Sequence, residues 1–120
     1  MRMSNTIGLY IHIPFCKSKC GYCDFASYSG VADKEDAYIN AVIKEAEKYA
    51  EKELTAETVY IGGGTPSVLK EGNLTRLVDG ISKYINIEAK EFTIEANPES
   101  FSESKAREYK SVGADRLSMG

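Results

Sequence analysis

Residues 58–67 read Thr-Val-Tyr-Ile-Gly-Gly-Gly-Thr-Pro-Ser, a short β-branched and aromatic run stopped by three glycines. By composition Thr58 to Ile61 is a strand, and the glycines end it abruptly. Three consecutive glycines carry an entropic cost in an ordinary turn, and their use is close backbone approach to a ligand. The run lacks the Gly-Lys-Ser/Thr ending of a phosphate-binding loop and the spaced glycines of a dinucleotide fold. A merely tight turn stays open as the plainer reading.

Working outward, Ile7 to Ile13 (IGLYIHI) is another short apolar run, and Pro14 stops it. Residues 33–50 place Tyr38, Val42, Ala46 and Tyr49 near one helical face, with Ile39, Ile43 and Ala50 beside them. Asp33 is the expected N-cap, followed by acidic residues in the first turn. Downstream, Leu74, Leu77, Val78, Ile81 and Ile85 form the apolar stripe of a second helix. Glu91 to Ala96 alternates, with Phe92, Ile94 and Ala96 on one face and Thr93 and Glu95 on the other, until Asn97-Pro98. Ser102 is placed to cap a third helix running to about Val112, Gly113 supplies its stop, and Asp115 to Met119 opens a fourth strand.

Three βα units and the start of a fourth predict an α/β fold: a parallel sheet with helices outside, the N-terminal portion of a larger barrel. Nothing at Gly120 resembles a linker, so residues 1–120 are expected to be part of a longer domain, truncated before its C-terminal half. An open sheet edge would leave such a piece marginal or prone to aggregation.

Composition narrows the function classes. The 42% apolar content excludes a disordered tail, and a net charge of −3 gives no electrostatic reason to expect nucleic acid or an anionic membrane. No apolar run approaches the ~20 residues of a membrane helix, and the first residues lack a signal-peptide core. The expectation is a soluble, cytoplasmic chain, where an odd number of cysteines does not form disulfide staples.

The three cysteines are Cys16, Cys20 and Cys23, clustered in eight residues with none in the following 97. That clustering is expected of a metal or cluster loop. Three thiolates can hold an iron–sulfur cube and leave one iron open for another ligand. Lys17 and Lys19 favour the thiolate forms, and Gly21 lets the loop wrap closely. The residues alone also allow a zinc knot completed by His12, or a Cys20–Cys23 redox pair. A third candidate is Glu95, in Glu95-Ala-Asn97-Pro98-Glu99, whose carboxylate could accept from paired sugar hydroxyls or simply be solvated. All three motifs follow the C-terminal end of a successive strand, and in barrels those ends share the face that carries the active site. Residues 16–23, 62–67 and 95–99 are therefore expected to converge.

Tyr10-Ile-His12-Ile-Pro-Phe-Cys16-x3-Cys20-x2-Cys23-Asp-Phe25, followed by GGGTPS, EANPE and GADRLSMG, resembles the radical S-adenosylmethionine superfamily. The likeness is to its oxygen-independent coproporphyrinogen III oxidase-like branch, and most closely to the haem chaperone subgroup. It spans essentially the whole chain. The resemblance implies a six-stranded partial TIM-type barrel, of which this chain supplies three strands and part of a fourth. It implies Cys16, Cys20 and Cys23 as ligands of a 4Fe–4S cluster whose open iron is chelated by S-adenosylmethionine. It places Tyr10, Gly63, Gly64, Thr65 and Glu95 among the S-adenosylmethionine contacts, with Glu95 on the ribose hydroxyls and Tyr22 near the adenosine. Two departures from the decarboxylating oxidase favour the chaperone: Phe25 stands where that enzyme has a further cysteine, and only 15 residues precede Cys16. The implied function is haem binding and delivery to haem-dependent enzymes. Oxidative decarboxylation of a porphyrinogen is the alternative, and a zinc-stabilised structural domain a minor one. His12, just before the cysteine loop, is expected to be a supporting or core residue rather than a haem ligand.

Overall fold

The computed structural model describes residues 5–15, 31–98 and 101–119. Four strands, β1 (Thr6–Ile13), β2 (Thr55–Gly63), β3 (Asn86–Ala96) and β4 (Arg116–Met119), alternate with three helices. These are α1 (Val31–Glu47), α2 (Asn73–Ser82) and α3 (Glu103–Ser111). All neighbouring strands are parallel, in the order β1-β2-β3-β4.

Side-chain alternation divides the sheet into two unlike faces. Ile11, Ile13, Val59, Ile61, Phe92, Ile94 and Ala96 are buried and form one cluster with Ile39, Ala46, Leu74, Leu77, Ile81 and Tyr109 from the helices. The intervening positions, among them Tyr10, His12, Thr58 and Tyr60, are exposed. Sequential strand order with the helices on a single face is the winding of a barrel; a doubly wound sheet would reverse its order and carry helices on both faces. The polar, open face corresponds to a barrel interior.

Two polar devices lock the helical layer. Glu35 of α1 is buried, and one of its oxygens accepts from the Lys70 amide at 2.8 Å and the Asn73 side chain at 2.5 Å. Glu108 of α3 accepts from the amides of Gly72 and Thr75 and from the Thr75 hydroxyl, at 3.1, 2.9 and 2.9 Å. It thereby satisfies amides that the start of α2 would otherwise leave unpaired, in place of a local cap.

Several boundaries differ from the sequence reading. The α1 helix begins at Val31, so Asp33 lies within its first turn rather than capping it. It ends at Glu47, and a 3-10 turn at Ala50–Lys52 carries Tyr49 and Ala50 into solvent instead of onto the apolar face. Strands β2 and β3 start earlier than their alternation suggests, because the pairing slips between Ala56 and Thr58 and breaks the period of two. Ser102 does cap α3, its hydroxyl accepting from the Lys105 amide at 3.2 Å, and Gly113 follows with φ of 108°.

Candidate functional site at the carboxyl ends of the strands

The ends of β1 and β2 meet through backbone hydrogen bonds, and side-chain bonds from Ser67 and Glu95 join the end of β3 to them. Gly64 donates its amide to the Ile13 carbonyl and Thr65 to the Phe15 carbonyl, both at 2.6 Å. The Ser67 hydroxyl, buried, accepts from the Asn97 amide at 3.0 Å. Residues 62–67 and 95–97 are thus brought together beside Phe15, the residue that precedes Cys16 in the chain. Cys16, Cys20, Tyr22, Cys23, Phe25 and Glu99 lie outside the described residues. Tyr38 of α1 steadies this end of β1, donating its hydroxyl to the His12 carbonyl and meeting the Phe15 ring edge-on at 5.8 Å. Burial pushes the Tyr38 phenol above its ordinary pKa, with Tyr10 adding to the effect, so it stays a donor.

Each of the three glycines leaves room for a different group. A Cβ on Gly62 would lie 2.7 Å from Tyr60 Cε1 and 2.8 Å from the Glu95 carboxyl carbon. One on Gly63 would lie 2.6 Å from the His12 ring, and Gly63 also holds φ of 113°, a region that favours glycine. A Cβ on Gly64 would run into the Phe15 carbonyl. The close approach that three glycines permit is therefore, among the described residues, to the chain's own groups.

Glu95 occupies the space over Gly62. Its Oε1 accepts from the Gly63 amide at 3.1 Å and its Oε2 from the Tyr60 hydroxyl at 2.7 Å. That bond, followed by desolvation, raises the Tyr60 phenol pKa. Tyr60 stacks on Tyr10, with ring centroids 5.9 Å apart and planes 22° apart. Tyr10 Oη and His12 Nδ1 are 3.2 Å apart, a hydrogen bond whose donor depends on the imidazole tautomer. Parallel register explains the line-up: Tyr10, Tyr60, Thr93 and Arg116 share one row across the sheet. His12 pairs with Gly62, and Glu95 with Ser118, two residues further along. His12 stands on the open face, outside the core.

Beside Glu95 lies a cleft of about 170 Å³, lined by Gly64, Thr65, Pro66, Glu95, Ala96, Asn97 and Ser118. A carboxylate, backbone amides already used internally and a hydroxyl make this a site for a polar ligand that offers donors. A larger apolar groove of about 390 Å³ runs along the outer edge of β1 and against α1, away from this cleft. Of the residues in the site, Tyr60 escaped the sequence reading as a functional candidate. Tyr60 had passed as one apolar residue of a strand, though its alternation with Val59 and Ile61 places it on the face of Tyr10.

Comparison with known proteins agrees with this architecture. The signature described as the Radical SAM superfamily matches residues 10–120. The chain is 45% identical over 120 residues to a protein of Buchnera aphidicola (from Schizaphis graminum) named "Heme chaperone HemW", covering 95% of this chain and 31% of that one. It is 41% identical over 112 residues to the protein of that name in Lactococcus lactis, covering 92% and 29%. Among solved structures, the Escherichia coli coproporphyrinogen III oxidase HemN, described as a radical SAM enzyme, superposes with a TM-score of 0.81 at 28% identity. That match covers 98% of this chain and 28% of the other. The chain spans a little under a third of the length of these relatives. The four parallel strands are a fragment of the radical-SAM barrel, and the expected α/β class holds. Among the described residues no helix is long and apolar enough to cross a membrane. The chain belongs to the radical SAM superfamily.

Proposed function

We propose that this chain is the cluster-binding and S-adenosylmethionine-binding end of a haem chaperone, one that binds haem and delivers it to haem-dependent enzymes in the cytoplasm. On this reading residues 1–120 are the N-terminal part of a longer radical-SAM core. The observation that carries it is the juncture of the strand ends: Phe15, Gly63 to Thr65 and Glu95 tied together by hydrogen bonds, with the cysteine triplet next in sequence.

Cys16, Cys20 and Cys23 would hold the 4Fe–4S cluster, and the donor set fits it: three clustered thiolates can hold the cube and leave one iron open. The chemistry the cluster supplies when bound is one-electron reduction of a sulfonium cofactor. The protein's part is orientation. Glu95 accepts the ribose hydroxyls of S-adenosylmethionine. The strand end at Gly63, Gly64 and Thr65 takes its methionine part; their amides are engaged within the chain, so their carbonyl oxygens are what they offer an ammonium group. Tyr10 presents an exposed ring on the open face of β1, and the family resemblance alone assigns Tyr22 to the adenosine.

The chaperone reading is supported by relatives of that name at 45% and 41% identity, and by Phe25 at the position where the oxidase subgroup carries an additional cysteine. The likeness to the coproporphyrinogen oxidase structure keeps porphyrinogen decarboxylation as a second reading. To separate them, the full-length protein, reconstituted anaerobically, is given haem and coproporphyrinogen III in parallel with S-adenosylmethionine and a reductant. A stoichiometric haem complex without carbon dioxide release supports the chaperone. Turnover of the porphyrinogen without stable haem binding replaces it with the oxidase.

A further inference from the structure

We propose that Tyr60 is a positioning residue that holds the Glu95 carboxylate in the orientation needed to accept a vicinal diol. The proposal rests on the reading of Glu95 as the ribose-binding group. Glu95 lines the cleft and Tyr60 does not, so the phenol acts through the carboxylate. A glutamate at a strand end has three rotatable bonds, and left alone it would sample several orientations at an entropic cost when a ligand orders it. Here both oxygens are tethered: Oε2 by the Tyr60 hydroxyl at 2.7 Å and Oε1 by the Gly63 amide at 3.1 Å. Each carboxylate oxygen keeps a further acceptor site, so a tethered carboxylate can still receive two hydroxyls.

The tether is itself held. The Tyr60 ring lies against Tyr10, and Ser118 is the register partner of Glu95 on the adjoining strand. The groove these groups occupy exists because residue 62 is glycine, since a Cβ there would press on both Tyr60 and Glu95. The phenol's raised pKa keeps it protonated, and therefore a donor, throughout the neutral range.

The test measures equilibrium binding of S-adenosylmethionine and its 2′-deoxyribose analogue to the full-length, cluster-loaded protein, with Tyr60→Phe and Glu95→Gln beside the parent. The parent is expected to prefer the ribose form. Tyr60→Phe is expected to weaken S-adenosylmethionine about tenfold and the deoxy analogue no more than about twofold, erasing the preference. Equal weakening of both ligands would mean that the phenol merely supports the fold, and unchanged affinities that it does nothing; either overturns the proposal. If Glu95→Gln leaves the ribose preference intact, the underlying reading of Glu95 fails and the proposal goes with it. If Glu95→Gln abolishes the preference while Tyr60→Phe does not, only the positioning role fails.

Discussion

Replacing Gly62 by alanine separates the site from the scaffold. Gly62 is buried, and the added methyl would sit 2.7 Å from Tyr60 Cε1 and 2.8 Å from both the Glu95 carboxyl carbon and Oε1. Contacts that short cannot persist, but the obstructing atoms are the far ends of two side chains that can swing aside. Doing so breaks the 2.7 Å Tyr60–Glu95 bond and the 3.1 Å Gly63–Glu95 bond. Overpacking costs about 1–3 kcal/mol in general, and a half-open site with movable neighbours belongs near 1 kcal/mol. Ligand binding suffers more, because a displaced carboxylate loses its charge-assisted bonds, and a loss of tenfold or more in S-adenosylmethionine affinity is expected. Gly63→Ala behaves in the opposite way. Its φ of 113° and a Cβ 2.9 Å from the Ile13 carbonyl oxygen involve backbone that cannot yield, so about 2–4 kcal/mol of stability is lost. Thermal unfolding and calorimetric titration of the two variants read both quantities. Unchanged affinity in Gly62→Ala, or a stability loss as large as that of Gly63→Ala, would refute the geometry assigned to Glu95.

Other consequences concern the scaffold. Phe92, 1% exposed at the centre of the sheet's buried face, should cost about 3–5 kcal/mol when cut to alanine, seen as a lowered denaturation midpoint. Glu108→Ala strips three hydrogen bonds from the start of α2 and should cost about 1–2 kcal/mol, with hydrogen exchange accelerating first at the amides of Gly72 and Thr75. Tyr109 sets an alkaline limit. Burial, with help from the Glu108 charge, pushes its phenol well above the ordinary value near 10. Its contribution is therefore complete below that value and declines as pH rises beyond it, because the unfolded chain ionises first. Urea titrations between neutral pH and about pH 11 should show this decline, and Tyr109→Phe should flatten it, at a cost of about 1 kcal/mol for the lost bond to the Glu95 carbonyl.

What the sequence disclosed follows from what is local in it. Strand ends at Pro14, at Gly62 to Gly64 and at Asn97-Pro98, and the Ser102 cap, depend on residues whose backbone preferences act in place. The early parts of β2 and β3 were illegible because the bulge at Ala56–Thr58 resets which face each residue takes. Glu35 reads as an ordinary surface acid of an amphipathic helix; only the fold brings Lys70 and Asn73, 35 and 38 residues away, to bury and satisfy it. The same holds at the site. Glu95 stood out as a lone carboxylate against an apolar alternation, whereas Tyr60 joins it only across 35 residues of chain and through strand register. His12 was legible as a neighbour of the cysteine loop, but its place above Gly63 needed the pairing of β1 with β2.

The most direct test of the central claim is the iron, acid-labile sulfide and zinc content per chain of the anaerobically reconstituted protein, with Cys20→Ser alongside. About four irons and a matching amount of sulfide are expected, both lost in the variant. One tightly held zinc with no sulfide would contradict that claim and leave Cys16, Cys20 and Cys23 as a structural metal knot.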